Sequence, residues 1–101
     1  MNRMELQAAL EDLLGTRQVY FQPPEDIKMT YPSIVYHLED LPPDYANDKP
    51  YRIAEEYLIT LITRNPDDPL IRGLAAMPCT RFDRYYVAAN LNHYQYRVTF
   101  T

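Results

Sequence analysis

Glu55 and Glu56 form the first group in this chain with the residue types for acid–base work. Two carboxylates flanking one bond could divide the roles of acid and base. Adjacent residues on a strand, however, point to opposite faces, so these two cannot straddle one substrate. The plain reading is one acid in solvent and one in an edge contact. Cys79 with His37 or His93 would supply a thiol and an imidazole base for nucleophilic chemistry. A lone cysteine at the start of a strand is more commonly a small buried apolar residue. His93, with Tyr94 and Tyr96 beside it, reads as a surface or interface histidine hydrogen-bonded locally rather than as a pH switch. There is no Gly-rich phosphate loop, no nucleophile elbow and no metal-ligand spacing. One cysteine and two histidines leave a structural zinc site unexpected. The expectation is a protein with no catalytic residue, no cofactor and no metal.

Residues suited to binding are more plentiful. The chain has ten Tyr, three Phe and no Trp, and tyrosine covers surfaces that are apolar at one end and wet at the other. Arg81-Phe82-Asp83-Arg84-Tyr85-Tyr86 alternates charge with aromatic rings. Either it is a protein-binding strip or an ordinary strand with a polar face; the tyrosine excess favours the strip. Arg81, Arg84, Tyr85, Tyr86, Tyr94 and Tyr96 are the expected interface residues. The net charge of −4 and pI near 5.0 argue against a grip on nucleic acid by phosphate neutralisation. Segment 39–50 carries Glu39, Asp40, Asp44 and Asp48 against Lys49, which is −3 of the total −4. That concentration reads as a solvated loop kept soluble by charge, or as a negative surface to which an anion must not stick.

The elements that position these residues follow from periodicity. Leu6, Ala9, Leu10, Leu13 and Leu14 make one apolar stripe, so 2–14 is a helix, with Gly15 placed to stop it. Residues 17–22 and 33–38 alternate as strands, the first ended by Pro23-Pro24. Three prolines and four acids make 39–50 an irregular segment. Residues 51–63 read as one central strand, nearly all apolar at its end. Asn65-Pro66-Asp67-Asp68-Pro69 is a helix start, with Asp at the N-cap and Pro after it, and the short helix stops at Pro78. Residues 79–87 and 93–101 are the closing strands, with a turn at Asn90-Leu91-Asn92. The order α-β-β-β-α-β-β predicts an α+β fold: a mainly antiparallel sheet of four to five strands with two helices packed on it. At 101 residues, one domain over 1–101 is expected. No apolar run approaches the ~18 residues of a membrane span, and no h-region of a signal peptide is visible behind Met1.

The C-terminal half carries a recognisable pattern. Ile59-Thr60-Leu61-Ile62-Thr63-Arg64 leads into Asn65-Pro66-Asp67-Asp68-Pro69 and a short helix, then Cys79 to Val87 and Asn90-Leu91-Asn92-His93-Tyr94. This resembles the small tail-completion or tail-terminator (head–tail joining) proteins of long-tailed bacteriophages and prophages. The resemblance covers 51–101 well; the first helix and strands agree in order only. It implies a structural subunit of the virion neck, assembled in the bacterial cytoplasm. Such a subunit forms a homomeric, hexameric ring that contacts the tail tube protein and a head-side connector. Sequence-specific nucleic-acid binding and membrane association are not implied. In such a ring, Glu39, Asp40, Asp44 and Asp48 would face the channel, where an acidic lining does not hold DNA. A stopper or adaptor of the same neck, and a cellular α+β protein-binding module, remain the alternatives.

Overall fold

A computed structural model describes residues 2–24, 28–46 and 49–100, and of 44–46 and 49–52 only the backbone. The first helix, α1 (Arg3–Leu14), is closed at both ends by local chemistry. The Asn2 side chain accepts from the Glu5 N–H at 2.9 Å and donates to the Glu5 carboxylate at 3.1 Å, a reciprocal cap. Gly15 sits at φ +80°, where its N–H reaches the Glu11 carbonyl at 2.8 Å. Among the described residues nine elements follow one another: α1, β1 (Val19–Phe21), β2 (Ser33–Asp40), β3 (Pro43–Ala46), β4 (Lys49–Ile53), β5 (Glu55–Thr63), α2 (Leu70–Ala75), β6 (Thr80–Ala88) and β7 (Leu91–Phe100).

Five strands make the main sheet in the order β1-β2-β5-β7-β6, so β5 is central. The fold is α+β as expected, but the sheet is mixed. β1 runs parallel to β2, while all other neighbours are antiparallel. β2 starts at the same end of the sheet as β1, with Ser33 beside Gln18, and that placement allows the parallel pairing.

Among its described residues, segment 39–50 is mostly strand, with Leu41-Pro42 as the irregular link. β2 continues to Asp40, and β3 and β4 then pair as a separate two-stranded hairpin. Pro43 and Pro50 are tolerated there because each strand of a two-stranded hairpin has an outer edge with no partner to receive an N–H. The expected single strand 51–63 is divided at Ala54, whose N–H goes to the Pro42 carbonyl at 2.9 Å. Ile53 consequently belongs to the hairpin and is exposed rather than joining the core face. The β6–β7 turn is Ala89-Asn90, both at positive φ (+51° and +62°), one residue before the expected turn. A two-residue hairpin loop needs that conformation at both positions, and Ala89 carries no sequence signal for it.

Both helices lie on one face of the sheet. Leu6, Leu10, Leu70 and Leu74 pack on Ile34, Tyr36, Tyr57, Ile59, Leu61, Tyr96, Val98 and Phe100, with Leu13 and Leu14 partly buried at the margin. The helices touch where Leu13 lies over Gly73; a Cβ on that glycine would meet Leu13 Cδ1 at 3.0 Å. Asp68 starts α2 as its cap: Oδ1 accepts from the Leu70 N–H at 3.0 Å, and Oδ2 accepts from the buried Thr63 hydroxyl at 2.9 Å. One carboxylate thus ties the end of β5 to the start of α2.

Three of the core residues are tyrosines, and each hydroxyl has a partner. Tyr36 donates to Gln7 Oε1 at 2.5 Å, Tyr57 to Glu55 Oε1 at 3.0 Å, and Tyr96 to the Ile71 carbonyl at 2.7 Å. Part of the tyrosine excess is therefore core packing, with the polar tip satisfied. Burial is the main cause that pushes the Tyr96 phenol up to about 12, and it raises Tyr36, Tyr57 and Tyr94 as well.

Leu10 is fully enclosed, so Leu10→Ala is expected to cost roughly 2–5 kcal/mol in urea unfolding. A loss below about 0.5 kcal/mol would place α1 outside the core. A phenol with a higher pKa folded than unfolded favours the folded state below its unfolded value, near pH 10. Stability should hold up to that pH and then fall as pH climbs towards 12, by roughly 2–3 kcal/mol from Tyr96. In urea titrations across that range, Tyr96→Phe should start less stable and decline less steeply.

Candidate functional site

The outer edge of the main sheet is β6, nine residues long, with β7 on one side and no strand on the other among the described residues. Its sequence would place 82, 84 and 86 on one face. A bulge at Asp83 changes this: Phe82 stands opposite Tyr96, while Arg84 stands opposite Gln95. Phe82 and Tyr85 therefore share the helix side of the sheet, and Arg81, Asp83, Arg84 and Tyr86 turn to the other. Phe82 (49 %), Tyr85 (49 %), Tyr86 (38 %) and Val87 (60 %) are all substantially exposed. The three aromatic side chains are held by cross-strand rings: Phe82 edge-on to Tyr96 at 5.5 Å, Tyr85 on Tyr94 at 5.0 Å, and Tyr86 stacked on His93 at 4.8 Å. The Tyr85 hydroxyl donates to Asn92 Oδ1 at 2.9 Å, and His93 Nδ1 is 3.0 Å from the Leu91 carbonyl. The edge is thus a preset row of aromatic groups, which costs little ordering entropy on docking.

Four of the six residues expected at an interface, Arg81, Arg84, Tyr85 and Tyr86, lie together on this edge. Tyr94 is half-buried behind Tyr85. Tyr96 is a correction: it is fully buried in the subunit's own core and offers no surface. Its alternation placed it on the apolar face, and α2 covers that face. Phe82 and Val87, absent from the expected set, contribute exposed apolar area here. The bulge that exposes Phe82 beside Tyr85 left no mark in the alternation. Beside Phe82 a cleft of about 380 Å³ opens between β6 and α2, with Pro66, Pro69, Ile71 and Ala75 among its lining.

The residues considered for chemistry are dispersed. Cys79 is exposed just before β6. Register puts His93 about five residues along β7 from that end, roughly 17 Å away, and His37 about three strands across, roughly 14 Å. Glu55 bonds the Tyr57 hydroxyl, and Glu56 faces the opposite side. Among the described residues, no three His, Cys, Asp or Glu side chains converge as metal ligands would. Nor, among these residues, is any helix long and apolar enough to cross a membrane.

The sheet face away from the helices is organised by Arg97. Its guanidinium lies 3.5 Å from Glu56, 3.5 Å from Asp83 and 3.8 Å from Glu39, and Glu39 is also 2.8 Å from His37 Nε2. One side chain on β7 thereby links β2, β5 and β6. The expected acidic loop is divided by this arrangement. Glu39 is engaged on the sheet, and exposed Asp40 accepts from the Leu41 N–H at 2.8 Å. Asp44 stands opposite Arg52 in the hairpin register, and Asp48 lies outside the described residues. Over 41–53 the two acids are matched by Lys49 and Arg52, so the hairpin has no net charge.

Comparison with known proteins finds no family model that matches this chain and no curated protein significantly similar to it in sequence. Arg97→Ala would remove the one cation that Glu39, Glu56 and Asp83 share, leaving Asp83 with Arg84 at 3.6 Å and Glu39 with His37 at 2.8 Å. The expected cost is about 1–2 kcal/mol in chemical denaturation, larger at low salt, because the group is partly screened by water. A change below about 0.3 kcal/mol would mean that Arg97 is not the hub of this face.

Proposed function

We propose that this chain is a structural, non-enzymatic subunit that assembles with copies of itself into a ring. The observation that carries the reading is the β6 edge, where four large apolar side chains lie exposed within six residues of an edge strand. A patch of this kind is an aggregation hazard unless a specific partner covers it. The Tyr and Arg content of the same strand fits an interface, since these residues dominate binding energy where they are buried against a partner.

The resemblance of 51–101 to phage tail-completion proteins supports a more specific role. The ring terminates the tail tube and joins it to the head, contacting the tail tube protein on one side and a head-side connector on the other. Its place is the neck of the virion, after assembly in the host cytoplasm. β5, α2, β6 and β7 make up nearly all of the resembling region, and β6 is the surface on which the ring reading rests.

A stable contact of this kind buries on the order of 1,200–2,000 Å² per subunit pair. Tyr85→Ala and Arg84→Ala should each shift the assembly towards smaller species in sedimentation velocity while leaving the thermal midpoint nearly unchanged. Both variants assembling normally would place the interface elsewhere. In particles made without this protein, electron micrographs should show tails of uncontrolled length or full-length tails lacking heads. Complete, normal virions would overturn the neck assignment.

A further inference from the structure

Two exposed apolar patches occupy diagonally opposite corners of the molecule. One is the far half of β6, with Tyr85, Tyr86 and Val87 beside the β6–β7 turn. The other is the root of the β3–β4 hairpin, where Leu38, Leu41 and Ile53 are exposed. The hairpin leaves the sheet where β2 ends and β5 begins. In register that is the end where β6 starts, and in strand order it is two or three strands from β6. The two patches therefore cannot meet within one subunit.

The hairpin extends from the body as an arm. The molecule measures 49 Å in its longest direction against 29 and 24 Å in the others, and among the described residues β3 and β4 pair only with each other. A two-stranded hairpin alone in water is marginally stable, so this one calls for a covering surface. Charge points to that surface. The hairpin itself is neutral and Glu39 is engaged by Arg97 and His37, so the root presents Asp40 as its exposed acid, whereas β6 holds Arg81 and Arg84 against Asp83. The Asp83 carboxylate is shared between Arg97 at 3.5 Å and Arg84 at 3.6 Å, and the Arg84 side chain is still 66 % exposed, as Arg81 is exposed beside it. Main-chain strand addition is disfavoured on both partners, by the bulge at Asp83 and by Pro43 and Pro50. Recognition then falls to side chains.

We propose that the arm of one copy seats on the β6 edge of the next. Leu41 and Ile53 cover Tyr85 and Val87, and the acidic root, with Asp40, faces Arg81 and Arg84. This rests on the reading of the chain as a self-assembling subunit, and it gives the acidic segment a place in the subunit contact instead of on a channel wall. Because the two patches differ, the contact is head-to-tail, and its repetition closes into a ring or runs on as a filament.

A complementation experiment tests the pairing. Leu41→Asp/Ile53→Asp disables the arm and keeps β6; Tyr85→Ala/Val87→Asp disables β6 and keeps the arm. All four positions are exposed, so circular dichroism and thermal melting should match the wild type. Each variant alone should be monomeric by native mass spectrometry. Mixed in equal amounts they should form 1:1 dimers and nothing larger, because each pair retains one productive contact. Should either variant fail to fold, the charge swap decides: Asp40→Arg and Arg84→Asp should each weaken assembly at least tenfold, and the double variant should recover it. A folded mixture that stays monomeric while the wild type assembles overturns the arm–edge contact alone. So does an arm variant that assembles like the wild type, the result an edge-to-edge dimer would produce. Wild-type protein that remains monomeric at roughly 1 mM overturns the self-assembly reading and this contact with it.

Discussion

The structure is governed by the fact that its two helices can cover only one face of the sheet. α1 has twelve residues and α2 has six, and both pack on the same side of five strands. Most apolar side chains that need burial therefore point to that side, and the other face must be made tolerable to water. The strands follow this division, except that Leu58 is buried on the open face beside Arg97 and His37. Tyr57, Ile59 and Leu61 of β5 and Tyr96, Val98 and Phe100 of β7 join the core, while Glu56, Gln95 and Arg97 turn away. The Arg97 cluster on the uncovered face follows from the same constraint: a cation among three carboxylates ties four strands together where no helix does so.

Tyrosine makes the division workable. A thin layer of small helices leaves few places where a large side chain is sealed at its far end. A residue that is apolar along its ring and polar at its tip suits a core this close to water. Tyr36, Tyr57 and Tyr96 meet that need, with their hydroxyls on Gln7, Glu55 and the Ile71 carbonyl. At the sheet's edge the helices give out, and on the same face the aromatic row continues onto the surface as Tyr85 and Phe82. The exposed row on β6 is the continuation of the core past the point where the subunit can cover it.

That continuity relates fold to proposed function. A subunit that leaves its edge strand uncovered and extends a hairpin from the opposite corner has two dissimilar surfaces, and two dissimilar surfaces favour cyclic or helical assembly over a two-fold dimer. The ring of the phage-neck reading is one outcome of such a design.

Local pattern in the sequence was enough to determine α1 and its Gly15 stop, the Asp68 start of α2, the central place of β5, and the alternation of β7 that separates core from open face. These depend on residue spacing and on hydrogen bonds between near neighbours. The clustering of Arg81, Arg84, Tyr85 and Tyr86 was equally visible, because those residues are contiguous on one strand. Tertiary structure alone decided the rest. The bulge at Asp83, which brings Phe82 beside Tyr85, exists only relative to β7. The burial of Tyr96 depends on α2 lying above it. The division of the acidic segment into an engaged Glu39 and a charge-balanced hairpin depends on Arg97 and Arg52, which are distant in the chain or outside the segment counted. Prolines marked 39–50 as irregular because propensity assumes a neighbour on each side, and a two-stranded arm has a neighbour on one side only.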